Sequence, residues 1–540
     1  MKRICSVILA LSLVLLTVSD ACSHSVITRI PSAVAGEEGL ALRINYPAIA
    51  RFGNAGAPIV IYGAGGFKAD GICERETELV DQGFIEIRFN FPGGGNDTTR
   101  SGGVNDNRGE LSLQAMRDII RFANGTISDI DGNMLAELVA PVTPLYSNVG
   151  LIGWSNGGNT NICVAGRFGD EIDYLAWIVN WESPVGDGMP QAEAGSKDCA
   201  LRPRNPEVNP AYNPATGEWL LDSLRYDASI RIPILEDNAI EVIGGIYFDM
   251  DGDGIVDPYY DFIPYPLVFE INGQYSSFYS ERLRRAAAQK NLFPNPPPLH
   301  VTSVSETEEF WSIRNGELWI DSVVVKFPNI MFMVVANEID HVQRAPNHPH
   351  VLIQYKKFIS AGARFVRLNP DRTYVEEFLG APYPDAVDND AFMELNYTNI
   401  GEAVEPGNAQ DPFGYYVIAA AGACELADRT YYNNLDINIQ DILTNAVTHT
   451  HINNRFNLNQ NYPNPFNSQT KISFHVEHAG LVRLEVYNVL GEKVHSLVHK
   501  KYEPGSYTVM FDAMSLPSGI YFYQIKIGNY VGVKKMLLVM

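Results

Sequence analysis

Residues 149–158 read VGLIGWSNGG, and this stretch predicts the fold of the chain around it. The apolar run that ends at Gly153 is typical of a strand buried on both faces, and a helical pattern follows from Gly157. Ser155 lies between them in the spacing GxSxG, in which glycines let the helix pack close to the strand while the turn exposes the serine. The spacing therefore indicates a nucleophilic serine at a strand-to-helix turn. The alternative is a tight turn with an incidental serine.

Short apolar strands and helical stretches alternate on both sides of this turn. The predicted strands are residues 40–46, 58–62, 84–91, 149–153, 174–180, 330–336 and 363–368. The predicted helices lie near residues 70–82, 111–122, 157–168, 351–361 and 415–428. This alternation predicts a mostly parallel, doubly wound α/β sheet in two parts, residues 25–184 and 326–453. Residues 185–325 are rich in Pro, Asn, Asp and Tyr, and we expect them to form a large cap insertion that shapes a substrate pocket.

Composition and charge narrow the possible functions. The chain has 540 residues, of which 46% are hydrophobic and 19% charged, as in ordinary packed proteins. Acidic residues outnumber basic ones by 63 to 40, and the formal net charge is -23. Because a surface of that sign repels phosphate backbones, the composition argues against nucleic acid as a partner.

Residues 1–21 have the pattern of a signal peptide. Lys2 and Arg3 precede an apolar run at residues 4–18, and small residues near Ala21 suit cleavage. The run is shorter than the roughly 20 apolar residues that a membrane-spanning helix needs. Cys22 stands where a lipoprotein cysteine would, but Ser19 is a poor residue three places earlier. We therefore predict export, with lipidation as the alternative.

Residues 455–540 change character. Apolar and mostly polar residues alternate at residues 472–476, 482–486, 507–511 and 521–525. Turn signals such as Glu503-Pro504-Gly505 separate these stretches. The pattern predicts a small all-β module, an antiparallel immunoglobulin-like sandwich.

Four blocks of this module resemble, in order, the type IX secretion sorting domain. They are NQNYPNPFN at residues 459–467, VYNVLG at 486–491, LPSGIY at 516–521 and KMLLV at 535–539. The resemblance implies passage through the periplasm and then across the outer membrane by the type IX secretion machinery. It also implies a secreted or cell-surface location, often after removal of this domain. The alternative is an adhesion or spacer domain without a role in transport.

A glycine-rich loop follows an earlier apolar strand, in the sequence IYGAGGF at residues 61–67. Such a loop can bring a backbone N–H near the serine. We therefore expect the region of Gly65 and Gly66, together with the N–H of Asn156, to form an oxyanion hole. A phosphate site is less well supported, because neither GxGxxG nor GxxxxGK is present.

These strands and motifs resemble the α/β-hydrolase family over roughly residues 35–375. The segment FPGGG at residues 91–95 loosely resembles its esterase and prolyl-oligopeptidase-like branches. The resemblance implies an α/β-hydrolase sheet with a cap, followed here by the small sandwich. It also implies cleavage of an ester or amide bond in a small-molecule or polymer substrate.

For the remaining catalytic groups the sequence offers several candidates. Asp340 has the position that the acid takes in the family, after a late strand, with Glu338 and Glu182 as alternatives. The base would follow residues 363–368, but residues 369–374 contain no histidine. His341, beside the acid, is our choice, and the alternatives are His348, His350, His449 and His451. Because a serine hydroxyl needs a proton acceptor, the second hypothesis is a catalytically degenerate α/β-hydrolase that acts as a cell-surface binding protein.

An acidic loop in the insertion reads DMDGDGIVD at residues 249–257. It matches the first nine positions of a calcium-binding loop, with glycine at the sixth. Tyr260 replaces the acid expected at the twelfth position, and Asp261 follows it. We therefore predict a structural calcium ion, and no organic cofactor. The predicted ligands are Asp249, Asp251, Asp253, the carbonyl of Ile255, and Asp257.

Overall fold

The computed structural model divides the chain into two compact units, Met1–Ile439 and Gln440–Met540. The residues that it describes are 24–72, 77–181, 183–187, 209–213, 218–233, 241–257, 260–271, 274–298, 300–335, 349–379, 415–435, 457–458, 461, 463–464, 466–476, 480–488, 493–503, 505–514, 516–527 and 530–539. The predicted signal peptide at residues 1–21 lies outside these ranges. Among the described helices, none combines the length and the apolar character needed to cross a membrane.

The first unit is built on a central sheet of eight strands in the order β1-β2-β4-β3-β5-β6-β13-β14. All pairs from β4 to β14 are parallel, whereas β2 pairs antiparallel with both β1 and β4. The sheet confirms the predicted mostly parallel α/β-hydrolase fold. The strands of this unit are β1 (His24–Ser32), β2 (Gly36–Tyr46), β3 (Ala57–Gly63), β4 (Ile85–Phe89), β5 (Pro144–Trp154), β6 (Trp177–Trp181), β7 (Tyr212–Asn213), β8 (Glu218–Trp219), β9 (Leu224–Pro233), β10 (Glu241–Phe248), β11 (Leu267–Ile271), β12 (Gln274–Phe278), β13 (Met331–Val335) and β14 (Phe365–Leu368).

Helices cover both faces of this sheet. Successive residues of a strand point to opposite faces, and each face has its own apolar core. Ile59 and Ile61 pack with α1 and α3 on one face. Val60 and Tyr62 pack on the other face, which α9 covers with a row of alanines. The helices are α1 (Glu110–Ala123), α2 (Leu135–Leu138), α3 (Asn156–Arg167), α4 (Glu281–Gln289), α5 (Val304–Arg314), α6 (Ile320–Lys326), α7 (Pro349–Ser360), α8 (Arg372–Leu379) and α9 (Tyr415–Tyr431).

The helix predicted near residues 70–82 is wrong in its described part. Residues 70–72 and 77–82 form turns and irregular chain. The backbone N–H groups of Gly71 and Ile72 donate to the side-chain oxygen of Asn90, at 2.8 and 2.9 Å. Glu78 has a φ of 60°, which a right-handed helix does not allow. Tertiary hydrogen bonds therefore replace the helical pattern.

The insertion has an apolar core of its own. The hairpins β9–β10 and β11–β12 are antiparallel, and Tyr247, Phe248 and Leu283 are fully buried between β10 and α4. The second hairpin reaches the loop that follows β3, because Phe269 lies edge-on against Phe67 with ring centroids 4.7 Å apart. The insertion thus contacts the glycine-rich loop that follows β3.

The second unit is the predicted all-β sandwich. One sheet has the order β15-β16-β19 and the other β18-β17-β20-β21. Ile472 and Phe474 of the first sheet share one buried core with Val482, Leu484 and Tyr523 of the second, as the alternating pattern predicts. The strands are β15 (Asn457–Leu458), β16 (Gln469–Val476), β17 (Gly480–Asn488), β18 (Lys493–Tyr502), β19 (Gly505–Asp512), β20 (Gly519–Ile527) and β21 (Tyr530–Leu538).

Candidate active site

Ser155 occupies the turn between β5 and α3, where its backbone is strained. Its φ is 50° and its ψ is -128°, a conformation that costs free energy for any residue with a Cβ. The turn is held from both sides: the Ser155 N–H donates to the Trp181 carbonyl at 3.0 Å, and the Ser155 carbonyl accepts from the Gly158 N–H at 3.1 Å. The side chain is half-buried, and none of the described residues forms a hydrogen bond with its hydroxyl. The serine is therefore fixed by its backbone, and its hydroxyl has no hydrogen-bond partner within the described ranges.

The two glycines at the start of α3, Gly157 of the motif and Gly158 after it, are required because α3 begins very close to the sheet. A Cβ added to Gly157 would lie 2.0 Å from the Gly63 carbonyl oxygen. A Cβ added to Gly158 would lie 2.2 Å from the Ser183 hydroxyl oxygen. Both separations are too short for any larger residue, so the glycines allow the helix to start directly after the serine.

The glycine-rich loop after β3 lies against this turn. The Asn156 side-chain amide donates to the Gly66 carbonyl at 3.1 Å, and a Cβ on Gly65 would lie 2.7 Å from the Trp154 ring. Among the described residues, no acceptor bonds the backbone N–H of Gly65, Gly66 or Asn156. The N–H of Asn156 also belongs to the first turn of α3, where the helix dipole favours negative charge.

The predicted acid and base lie outside the described residues, which stop at residue 335 and resume at 349. Asp340, His341, Glu338 and His348 fall in that gap, and Glu182, His449 and His451 are outside as well. The strand that precedes the gap is well placed, because Val335 of β13 pairs with Trp181 of β6 and Trp181 pairs with Trp154. The described part of β13 therefore ends at the same edge of the sheet as β5, the strand that precedes Ser155. His350 lies in the first turn of α7.

A polar network beneath the turn was not expected from sequence. The buried Asn180 side chain donates to the Gly158 carbonyl and to Gln354, at 3.2 Å in both cases. Gln354, also buried, donates to the Ser183 carbonyl at 2.8 Å. This network connects α3, β6 and α7 around the serine. An asparagine inside the apolar strand WIVNW is the sequence signal that points to it.

The acidic loop brings three carboxylates together. One oxygen each from Asp249, Asp251 and Asp253 lies within 4.8 Å of the others. Asp249 is buried, whereas Asp251 and Asp253 are exposed. Asp261 serves another purpose: its two oxygens accept the backbone N–H groups of Met250 and Asp257, both at 2.9 Å. Asp261 therefore closes the loop, and the first three aspartates are the carboxylates whose oxygens lie close enough together that one cation could contact all three.

Comparisons with known proteins assign the C-terminal unit. Residues 460–539 match the model of the secretion system C-terminal sorting domain. No curated protein matches the chain.

Similar solved structures include two kinds of fungal esterase and a bacterial peptidase. Carboxyl esterase 2 from the mycorrhizal fungus Tuber melanosporum is 12% identical, covers 65% of this chain and 78% of its own, and has a TM-score of 0.32. An esterase from the fungus Rhizomucor miehei is 11% identical, covers 77% and 86%, and has a TM-score of 0.34. A putative dipeptidyl aminopeptidase IV from Bacteroides ovatus is 10% identical, covers 64% and 32%, and has a TM-score of 0.31. The central sheet of this chain has the α/β-hydrolase fold, and its residues 460–539 are a type IX secretion sorting domain, so the protein is secreted or held at the cell surface.

Proposed function

We propose that this exported protein is a serine hydrolase that cleaves an ester or amide bond through Ser155. The observation that carries the proposal is the strained turn, in which a serine with a φ of 50° stands between a buried strand and the start of a helix. Such strain persists only where the surrounding structure enforces it, and it concentrates at functional sites. The Ser155 hydroxyl and the adjacent N–H groups, which have no partner in the part of the chain that the structure describes, support the same chemistry.

In the proposed mechanism the Ser155 hydroxyl attacks the substrate carbonyl. The backbone N–H of Asn156 and N–H groups from the Gly65 and Gly66 region stabilise the oxyanion. One such donor commonly contributes about 3 to 4 kcal/mol to transition-state stabilisation. We propose that His341 accepts the serine proton and that Asp340 orients the imidazolium. The imidazolium then gives this proton to the leaving alcohol or amine as the ester or amide bond breaks, which leaves an acyl group on Ser155. Water, deprotonated by the same histidine, hydrolyses the acyl-enzyme and restores the serine hydroxyl.

The insertion is proposed to act as a cap that shapes the pocket. The contact of Phe269 with Phe67, one residue beyond Gly66, supports this role. The proposed substrates are small-molecule or polymer esters and peptides. We also propose that residues 1–21 are the signal peptide that delivers the chain to the periplasm.

We further propose that the acidic loop binds one structural calcium ion through Asp249, Asp251, Asp253, the Ile255 carbonyl and Asp257. The three clustered carboxylates support this proposal, since Ca²⁺ prefers oxygen ligands and offsets the repulsion among them. Its role would be to stiffen the insertion.

A fluorophosphonate probe tests the proposed nucleophile in the full chain. We expect the wild type to be labelled, and we expect Ser155→Ala to lose the label and at least about a thousandfold of any esterase activity. The matched control is Ser322→Ala, because Ser322 donates to the Gly166 carbonyl at the other end of α3. Labelling should survive in that control. Single substitutions of His341, His348, His350, His449 and His451 by alanine would then identify the base.

If the probe does not label the folded wild-type protein, the proposal of a serine hydrolase is contradicted. That outcome would favour the alternative, a degenerate hydrolase that uses the same pocket to bind a ligand at the cell surface.

A further inference from the structure

The residues just before α1 have an unusual backbone that positions one arginine. Asn107 and Arg108 have φ values of 54° and 60°, a left-handed backbone that asparagine tolerates but that is unfavourable for arginine. Arg314 fixes this bend by donating to the carbonyls of Asp106 and Asn107, at 2.7 and 2.8 Å. Asp106 fixes it as well, because its carboxylate accepts the Gly109 N–H at 3.0 Å. These hydrogen bonds therefore fix the backbone from which the Arg108 side chain extends.

The side chain of Arg108 is buried against the glycine-rich loop and bonds to it. It is only 2% exposed. Its Nη2 donates to the carbonyls of Ala64 and Gly65 at 3.0 and 3.2 Å, and its Nε donates to the Gly66 carbonyl at 3.2 Å. Its guanidinium also lies 3.6 Å from the centroid of the Phe91 ring. One side chain thus binds three consecutive carbonyls.

These hydrogen bonds determine where the N–H groups of the loop point. In a planar trans peptide the C=O of one residue and the N–H of the next point in opposite directions. Carbonyls of residues 64, 65 and 66 that face Arg108 therefore turn the N–H groups of Gly65, Gly66 and Phe67 away from it. Among the described residues, no acceptor bonds these three N–H groups, so they remain available to a substrate oxygen.

From this geometry we infer that Arg108 is the positioning residue of the oxyanion hole. It acts through the peptides of residues 64–67 and does not touch the substrate. The inference rests on the proposed hydrolase function. A guanidinium suits the task because its planar fork can bond several carbonyls at once, whereas lysine offers a compact point charge. The buried positive charge also favours an oxyanion beside the loop.

The test compares Arg108→Lys and Arg108→Met with the wild type, as full-length proteins, on p-nitrophenyl butyrate. We expect kcat to fall about 100-fold in both variants, with KM changed by less than about threefold because the substrate pocket is intact. The matched controls are Arg284→Lys and Arg284→Met. Arg284 is also buried, donates to a backbone carbonyl (Thr302, at 2.7 Å) and lies over a phenylalanine ring, but in the insertion. These controls should keep kcat within about twofold. Melting temperatures of all four variants separate the loss of positioning from general destabilisation.

Equal losses of kcat in the Arg108 and Arg284 variants would overturn the inference, and so would wild-type kcat in Arg108→Met. A crystal structure of Arg108→Met gives a readout that does not depend on activity. Turned peptides at residues 64–66 support the positioning role, and unmoved peptides overturn it. Failure of the proposed function is recognised separately, because then the fluorophosphonate probe does not label the wild type itself.

Discussion

Glu86 and Arg88 place two opposite charges inside the central sheet, both less than 2% exposed. Glu86 accepts from Arg88 at 3.0 Å, from Thr77 at 2.5 Å and from Asn45 at 3.1 Å. Burial alone would raise the pKa of Glu86, but the charge of Arg88 and these hydrogen bonds together hold that pKa below its ordinary value. The Arg88 guanidinium also lies over the Tyr62 ring, 4.5 Å from its centroid.

We expect Glu86→Gln to lower the free energy of unfolding at neutral pH by about 3 to 5 kcal/mol, because it leaves Arg88 as a buried charge without its carboxylate. Since the folded-state pKa of Glu86 is depressed, its stabilisation is present above the unfolded pKa of about 4.3 and is lost as the pH falls through the folded pKa. The wild type should therefore lose stability below about pH 4 more steeply than Glu86→Gln. Urea denaturation at a series of pH values measures both effects.

The control is Glu308→Gln, which breaks a pair of exposed side chains, Glu308 and Arg285. This control should lower the free energy of unfolding by less than about 1 kcal/mol. If both variants lower the free energy of unfolding equally, Glu86 contributes no more to stability than a surface charge does.

Residues of the candidate site differ in how far sequence could predict them. Ser155 and Asn156 were predictable because a strand, a turn and a helix follow each other within a short stretch of chain. Arg108 was not, because it acts on carbonyls more than 40 positions away, and no local pattern carries that pairing. The same holds for Gln354, which reaches Asn180 across 174 positions.

The acidic loop is the element whose stability should depend on a metal ion. Added Ca²⁺ should raise the melting temperature of the full chain by several degrees relative to excess EGTA, because a ligand that binds only the folded state stabilises it. The double variant Asp251→Asn, Asp253→Asn should lose this shift. Asparagine keeps the side-chain oxygen that accepts the N–H groups of Asp253 and Ile255, so the loop can keep its turns. Differential scanning calorimetry with and without EGTA measures the shift.

Asp222→Asn is the matched control, since Asp222 is an exposed aspartate of the same insertion that lies outside the loop. It should retain the calcium response. The same melting temperature for the wild type in Ca²⁺ and in EGTA would exclude a structural calcium ion.

The strands were easier to predict than their neighbours for a physical reason. β3 and β13 are buried along their whole length, so each appears in the sequence as a continuous apolar run. β4 and β6 are equally buried, and apolar residues still dominate them although each contains at least one polar side chain. β1 was not predicted: it is an edge strand, and exposed residues interrupt its apolar pattern. The helix predicted at residues 70–82 is wrong for a different reason. The sequence pattern there suits a helix, but hydrogen bonds from the backbone to the distant Asn90 side chain override it.

For the whole molecule, the sorting domain determines where the protein ends up. A chain lacking residues 455–540 should accumulate in the periplasm, because it no longer carries the domain that the export machinery recognises. Cell fractionation and surface proteolysis of intact cells measure its location. Full-length Ser155→Ala is the control and should reach the surface normally. Undiminished surface delivery of the truncated chain would contradict the assignment.

The attachment of α9 to the sheet limits where the chain can be processed. The Asp428 carboxylate binds Arg51 at 2.6 and 2.7 Å, and the buried Glu425 binds Arg367 at 2.7 Å. A protease that cuts beyond residue 435 leaves these ion pairs and the alanine row in place. A cut ahead of α9 would instead uncover one side of the sheet and remove the carboxylates that Arg51 and Arg367 need. Removal of the sorting domain is thus compatible with an intact unit of α/β-hydrolase fold, provided that cleavage spares this last helix.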